Sequence, residues 1–469
     1  MRSSLINATL VAGALAAPRS LTAQAAGDPI RDRYQATADR IIAEATSDSA
    51  AWQRLARMAD TFGHRLSGSE ALERAIDWVL AEMRRDGLQN VRGEPVMVPH
   101  WVRGSESAEL VSPRPQQLSM MGLGGSVGTP RRGITAEVLV VTSFADLTAR
   151  GAAARDKIVL FDVPFTNYGA TVRYRRDGPS AAARAGAVAC LIRSVAAYSI
   201  SSPHTGALQY DSTVKAIPAA ALSVENAMML HRMSDRGERV VVRLTMAARM
   251  LPDAPSRNIV GEIVGSERPQ EVVVMGGHID SWDVGQGAMD DGGGVVAAWE
   301  ALRVLQRLGL RPRRTVRVVG WTNEENGLRG GNAYRDAHAA ELDDHVAAIE
   351  TDGGVFRPLG FGFTGSDSAL AIVRRVASLL RGIGADSISR GGGGADIGPI
   401  VRRGVPGLGL DVDGTRYFWF HHSDGDTVDK LDPREIAQCV ATLAVIAFVV
   451  ADLPERLPRG TVPVTTPAQ

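Results

Sequence analysis

The chain has 469 residues, 45% hydrophobic and 22% charged, and its 52 Lys+Arg balance its 52 Asp+Glu. That composition is too apolar for a disordered polymer, and the length suits two or three globular units. Formal neutrality excludes bulk attraction to nucleic acid or to an anionic membrane, so any partner must be held at a local site.

In chain order, the N-terminus reads as an export address. Arg2 supplies a small positive region, Leu5–Ala17 is mostly apolar, and Ala23-Gln24-Ala25 fits a small-x-small cleavage site. Residues 1–25 are therefore expected to be a signal peptide, leaving a secreted or periplasmic protein. Its apolar stretch falls short of the roughly 20 residues that span a bilayer, and no later segment reads as a span. Two helical patterns follow, Pro29–Ala45 with Asp28 as cap and Ala50–Phe62. His64–Ser69 breaks the pattern, and His64 reads as a loop histidine. Ser69 caps a third helix with the stripe Ile76, Val79, Leu80, Met83, ended at Arg85-Asp86-Gly87.

From Trp101 to about Met250 the texture changes to short β runs and turns. Val138–Val141, Lys157–Val163, Val188–Ile192 and Val240–Leu244 are strand-like, and a helix is expected only around Ser180–Ala185. Residues 101–251 thus read as a mostly β module inserted into a larger domain made of residues 28–100 and 252–456. After Pro252-Asp253-Ala254-Pro255 the pattern becomes β-α alternation, which predicts an α/β fold, a doubly wound mixed sheet with helices on both faces. Gly391–Gly394 is either a flexible or a site-lining loop. The tail, 457–469, reads as disordered. Cys190 and Cys439, the only two cysteines, sit in apolar runs and read as buried thiols rather than a disulfide.

The reactive side chains gather at predicted strand ends. Val272–Val274 is an apolar β-branched run; Gly276 and Gly277 are expected to end it and turn the chain, and His278 and Asp280 follow. Asp290 and Asp291 stand before Gly292–Gly294 and a helical pattern from Val295 to Leu308. Thr315–Trp321 empties into Asn323-Glu324-Glu325-Asn326, and Val346–Ile349 into Glu350-Thr351-Asp352. His421-His422-Ser423-Asp424-Gly425-Asp426-Thr427 forms a fourth cluster. Ligands of open α/β sheets sit beyond the carboxyl ends of the strands, so these clusters share one edge. Each acidic pair alone would be a solvated turn or a helix cap; together they describe a cation site. Imidazole and carboxylate without thiolate suit zinc, with manganese or cobalt as alternatives. Asp290, at a tight turn before a helix, suits a bridge between two cations. His278, Asp352, Glu325 and His422 suffice as terminal ligands. Glu325 is assigned as ligand and Glu324 as the general base that deprotonates a water shared by the cations. Asp280 is expected to hold the His278 ring from behind.

Gly276–Asp280 (GGHID), Ala288–Gly294 (AMDDGGG), Asn323–Gly327 (NEENG), Glu350–Gly353 (ETDG) and His422–Thr427 (HSDGDT) resemble, in order and spacing, the motif set of the co-catalytic zinc aminopeptidase family over residues 256–452. The longer strings HIDSWDVGQGAMDDGGG and YFWFHHSDGDT, with His64–Ser69, resemble one branch of it. The middle module resembles that branch's protease-associated insert through DKIVLFD, SAAARAGAVACLIRS and PHTG. The resemblance implies the zinc exopeptidase fold and two zinc ions per chain. Their ligands would be His278, Asp290, Glu325, Asp352 and His422, with Asp290 bridging, Glu324 as base and Asp280 behind His278. It also implies a cis Asp290–Asp291 bond, and His422 rather than His421 as ligand, because the family context H-S-x-x-D-T starts there. By this resemblance the chain is a secreted metallo-exopeptidase of dipeptides or short peptides, a homodimer, with no nucleic-acid or membrane partner. An aminopeptidase of broader specificity, a single-zinc cyclotransferase on the same fold, and a non-enzymatic receptor-like module are the alternatives. Asp396 could accept a substrate's free α-amine, and Arg416 or Arg402 its terminal carboxylate.

Overall fold

The computed structural model describes residues 28–460. The expected signal peptide, residues 1–25, and residues 461–469 of the expected tail lie outside the described residues. The three N-terminal helices form where the periodicity places them: Pro29–Ala45, Ala50–Phe62 and Glu70–Arg85. Asp28 accepts from the Ile30 N–H at 3.0 Å and Ser69 from the Leu72 N–H at 3.2 Å. Each cap satisfies an N–H that the helix cannot, worth about 1 kcal/mol.

Strand β1 (Gln89–Val102) leads into eight strands of a second sheet: β2 (Glu106–Ser112), β3 (Gln116–Leu118), β4 (Met120–Gly122), β5 (Ile134–Val141), β6 (Ile158–Phe161), β7 (Ala189–Arg193), β8 (Ala219–Leu222) and β9 (Val241–Met246). The chain returns through β10 (Arg249–Ile263) to β11 (Arg268–His278), β12 (Arg314–Trp321), β13 (His345–Glu350), β14 (Pro358–Thr364), β15 (Ser387–Arg390) and β16 (Gly407–Val412). The main sheet is ordered β1-β10-β12-β11-β13-β16-β14-β15, and the second β3-β2-β9-β5-β6-β7-β8-β4. In the main sheet β12, β11, β13 and β16 run parallel, flanked by antiparallel pairs on both sides. The sheet is therefore mixed. Along β11 the side chains alternate: Val273 and Met275 join the large core, whereas Val272 and Val274 join a smaller one with Tyr334, Ile397 and Ile400. Helices thus cover both faces. After β11 the chain adds β12 on one side and β13 on the other, so the strand order reverses at β11. That reversal opens a crevice at the carboxyl ends.

Several expectations need correction. The second sheet is not mostly β in its company: helices Phe144–Ala149, Tyr168–Arg184 and Val224–Asp235 accompany it. The helix expected near Ser180–Ala185 is the end of a 17-residue one; Gly178 and Pro179 inside it interrupt the periodicity. Strand β1 escaped notice because most of its positions are exposed or half-buried, the signature of a polar edge. Its ladder with β10 runs on through Trp101↔Met250 and Val102↔Arg249, so the expected joints at 100/101 and 251/252 fall inside one continuous ribbon. Helix Pro433–Asp452 is long and apolar enough to cross a bilayer by length and composition, contrary to expectation. However, 83% of its most apolar window is buried, which makes it a central core helix. The expected disorder from residue 457 is overturned for the described part: Leu457 is buried, and Arg459 donates to the His345 carbonyl at 2.9 Å and to Asp343 at 3.0 Å. Both cysteines are buried and free.

A buried histidine at the start of β13 makes the fold acid-sensitive. His345 donates through Nδ1 to the Glu341 carbonyl at 3.0 Å, while its Nε2 accepts from the Tyr334 hydroxyl at 2.9 Å, which in turn accepts from Arg317. Burial, reinforced by Arg317 and opposed by the Glu341 carbonyl, pushes its pKa down to about 4. The unfolded chain binds this proton below about pH 6.5 and the folded chain only below about 4, so stability falls as pH drops through that window, by on the order of 2–3 kcal/mol. Denaturant midpoints at pH 7 and pH 4.5 should show this loss. A His345→Gln chain, less stable at pH 7, should lose measurably less between the two.

Candidate metal centre

The register of the parallel strands builds the site. His278 lies opposite Trp321, and Gly276 opposite Glu350, so β11, β12 and β13 end side by side. This delivers His278, Glu324 with Glu325, and Asp352 to one edge. Contrary to expectation, the glycines before His278 do not turn the chain. The strand runs through them, and neither has positive φ. They are small because neighbours press close: a Cβ on Gly276 would overlap the Val319 carbonyl oxygen, and one on Gly277 the Asp291 carboxylate.

The loop after β11 is held from several directions. Asp291 accepts from the His278 N–H at 3.0 Å and the Gly294 N–H at 3.1 Å. Asp426 accepts from the Met289 N–H at 2.7 Å and the Asp290 N–H at 3.2 Å. The buried Arg65 guanidinium donates to the carbonyls of Ile279, Gln286 and Gly287, each at 2.7 Å. The Asp290–Asp291 peptide is cis, as the resemblance implied.

With its loop fixed in this way, the Asp290 carboxylate faces two imidazoles. His278 Nε2 lies 3.2 Å from Asp290 Oδ1 and 3.3 Å from Asp352 Oδ1. His422 Nε2 lies 3.2 Å from Asp290 Oδ2 and 2.9 Å from Glu325 Oε2. All five residues proposed as ligands are therefore brought together. His421 enters too: it stacks on His422 at 3.5 Å, with Nε2 3.5 Å from Asp290 Oδ2. His278, Asp290 and Asp352 form one group whose donor atoms all lie within 4.8 Å, and Asp290, His421 and His422 form another. Asp290 Oδ2 and Glu325 Oε1 are buried without a hydrogen-bond partner among the described residues. Buried carboxylate oxygens crowded against imidazole nitrogens, with no thiol among them, fit a zinc-type cation.

Asp280 differs from its expected part. The atom it sets behind His278 Nδ1 is its backbone carbonyl, at 3.0 Å, while its carboxylate stays 3.8 Å from the ring. That carboxylate instead accepts from the N–H groups of Glu324 at 3.1 Å and Glu325 at 3.4 Å, and from Ser67 at 3.2 Å. It fixes the backbone of the glutamate pair.

The electrostatics follow from burying many carboxylates together. Burial pushes Glu324 well above the usual carboxylate range, and repulsion from Asp352, Glu325 and Asp396 adds to this against the pull of His278. Burial likewise raises Glu325 to about 7. For Asp290, burial is outweighed by bonds from His278 and His422, which hold it well below its usual value. Burial disfavours the charged form of His422, but Glu325 and Asp290 still lift it to about 9.

The segment 258–447 matches the model of peptidase family M28. Carboxypeptidase Q of Bos taurus is 51% identical over 414 residues, which cover 88% of this chain and 88% of that one. The chain belongs to peptidase family M28. It is a metallopeptidase, similar to carboxypeptidase Q, which is the branch that HIDSWDVGQGAMDDGGG and YFWFHHSDGDT resemble. The crystal structure of a peptidase M28 precursor from Shewanella amazonensis has a TM-score of 0.88 at 36% identity, covering 91% of this chain and 98% of that one. BSAP, a zinc aminopeptidase from Bacillus subtilis, shares the fold at a TM-score of 0.64 and 20% identity, over 84% of this chain and 93% of its own.

Two members of this M28 site were not given roles from the sequence. Arg65 is a lone arginine in a loop, with no periodicity to mark it. Asp426 stood in the HSDGDT motif, which is the only signal that could have found it. The residues after Gly391–Gly394 line the site: Glu350 accepts from the Ile397 N–H at 2.7 Å, and Asp396 is buried with both carboxylate oxygens unpartnered among the described residues. Arg416 is engaged by Glu435 at 2.8 Å and covers the Phe356 ring.

Proposed function

We propose that this metallopeptidase is a secreted exopeptidase that holds two zinc ions per chain and cleaves dipeptides or short peptides. The observation that carries the reading is the pair of imidazoles meeting the two oxygens of Asp290, each at 3.2 Å. His278, Asp290 and Asp352 would hold one ion; Asp290, Glu325 and His422 the other. When bound, such ions polarise the scissile carbonyl and stabilise the negative charge that develops on its oxygen. Glu324 takes the proton of the attacking water and passes it to the leaving amine. Asp280 acts through the glutamate backbone, which it orients. Asp396 supports recognition of a free α-amine, because its oxygens are buried and bare, whereas Arg416 is occupied by Glu435. The bare Asp396 oxygens favour an enzyme that reads a free α-amine, a dipeptidase or an aminopeptidase.

The same reading includes export through residues 1–25, assembly as a homodimer, and a protease-associated role for the inserted sheet. The test is a panel of dipeptides, free at both ends, N-acetylated or C-amidated, assayed with and without chelator. Free dipeptides should be cleaved, chelation should abolish cleavage and zinc restore it, and N-acetylation should cost most of the rate. Equal hydrolysis of N-acetylated substrates would overturn the amine assignment.

A further inference from the structure

The two metal-site histidines are supported in different ways. An imidazole that offers Nε2 as a ligand carries its proton on Nδ1, and that N–H needs an acceptor. For His278 the acceptor is local, the Asp280 carbonyl at 3.0 Å. For His422 it comes from the inserted module, in the connection between β7 and β8: the Thr205 carbonyl lies 3.4 Å from Nδ1, 217 residues away in sequence. Thr205 belongs to PHTG, Pro203–Gly206, a motif the chemistry above leaves without a role.

The backbone around His422 is docked on the same segment. The Thr205 N–H donates to the His422 carbonyl at 2.9 Å, and His204 Nδ1 donates to the His421 carbonyl at 2.6 Å. The Ala197 N–H donates to the Phe418 carbonyl at 3.0 Å, continuing the strap. His422 itself has φ of +60°, a conformation rare for a side chain of this size, and it persists only when its surroundings hold it. Arg175, buried on the insert's long helix, anchors the strap. It donates to the carbonyls of Thr205 and Ala207, both at 3.3 Å, and to the Tyr168 hydroxyl at 2.9 Å. Its Nη1 also lies 3.3 Å from His422 Nδ1. A guanidinium has no lone pair to offer, so when His422 ligates through Nε2 both N–H groups converge on the one Thr205 carbonyl.

We infer that PHTG and Arg175 are positioning elements for His422, so that the ion on the Asp290–Glu325–His422 side is held tightly only while the inserted sheet is docked. This rests on the two-ion reading above. The other ion's histidine, His278, takes its Nδ1 acceptor from Asp280 rather than from the insert. The insert is thereby a working part of the metal centre.

The test is zinc content per chain against graded chelator strength, for the full chain and for Arg175→Met, Arg175→Lys and His204→Gln. The unmodified chain should release two equivalents. Arg175→Met should release one of them at a roughly 10–100-fold weaker chelator buffer, with the second unchanged. Arg175→Lys, which keeps one donor for Thr205, should fall between, and His204→Gln should shift the same equivalent. His204→Gln also serves as the probe if Arg175→Met does not fold by circular dichroism. Equivalents that shift together, or neither shifting, would overturn the inference while leaving the two-ion reading intact. An unmodified chain that takes up a single equivalent would overturn that reading instead.

Discussion

Glu324→Gln should lower kcat/KM on a free dipeptide by between about 100- and 10,000-fold while zinc content per chain stays unchanged. The amide keeps the shape of the side chain but cannot accept a proton from water. In the proposed division of work the two adjacent glutamates start from a fixed backbone: both N–H groups donate to the Asp280 carboxylate, at 3.1 and 3.4 Å. From that frame Glu325 reaches His422 at 2.9 Å, while Glu324 is half-buried and makes no such ion pair among the described residues. Steady-state kinetics together with metal analysis decide the matter. Unchanged turnover with full metal refutes the base assignment, and loss of metal would move Glu324 into the ligand set.

Asp290→Asn has the larger expected effect, because in the two-ion proposal this one residue serves both halves of the site. The substitution places an amide N–H₂ where a carboxylate oxygen meets an imidazole at 3.2 Å. Zinc should fall below one equivalent per chain, and kcat/KM by about 1,000-fold or more, the equivalent of several kcal/mol of lost charge stabilisation. The metal-free fold suffers as well, since Asp290 compensates two buried rings; removing one partner of a buried charged pair costs about 3–5 kcal/mol. Metal analysis and denaturant melts of chelated protein measure the two effects separately. Two retained equivalents would end the bridging assignment.

Much of this arrangement was legible from residues alone. The N-terminal helices announced themselves by caps and a buried stripe. Strands β11, β12 and β13 did so by apolar β-branched runs that stop at polar clusters, which is how parallel strands buried on both faces read. What stayed hidden has physical reasons. Strand β1 is a polar edge without alternation. Gly276 and Gly277 carry the same letter whether a chain turns or a neighbour presses close, and only the Val319 carbonyl and the Asp291 carboxylate distinguish the two. Asp280 was expected to hold His278 with its carboxylate, but its backbone carbonyl makes that contact and its carboxylate meets the backbone of the glutamates. Arg65 and Arg175 act on groups more than 200 residues away, and such contacts leave no local pattern.

The long ladder between β1 and β10 also bears on how the molecule assembles. Val102 and Arg249 are neighbours across it, with the whole second sheet between them in sequence. Zipping those edges in an otherwise unfolded chain means closing a loop of roughly 150 residues, an entropic cost of about 4 kcal/mol. A folded second sheet has already met that cost, because its own strands β2 and β9 are paired beside the neck. Conversely, a formed β1–β10 ribbon brings the ends of the second sheet together before it condenses. Each half is a template for the other, so the two sheets acquire their structure as coupled events rather than as beads on a string.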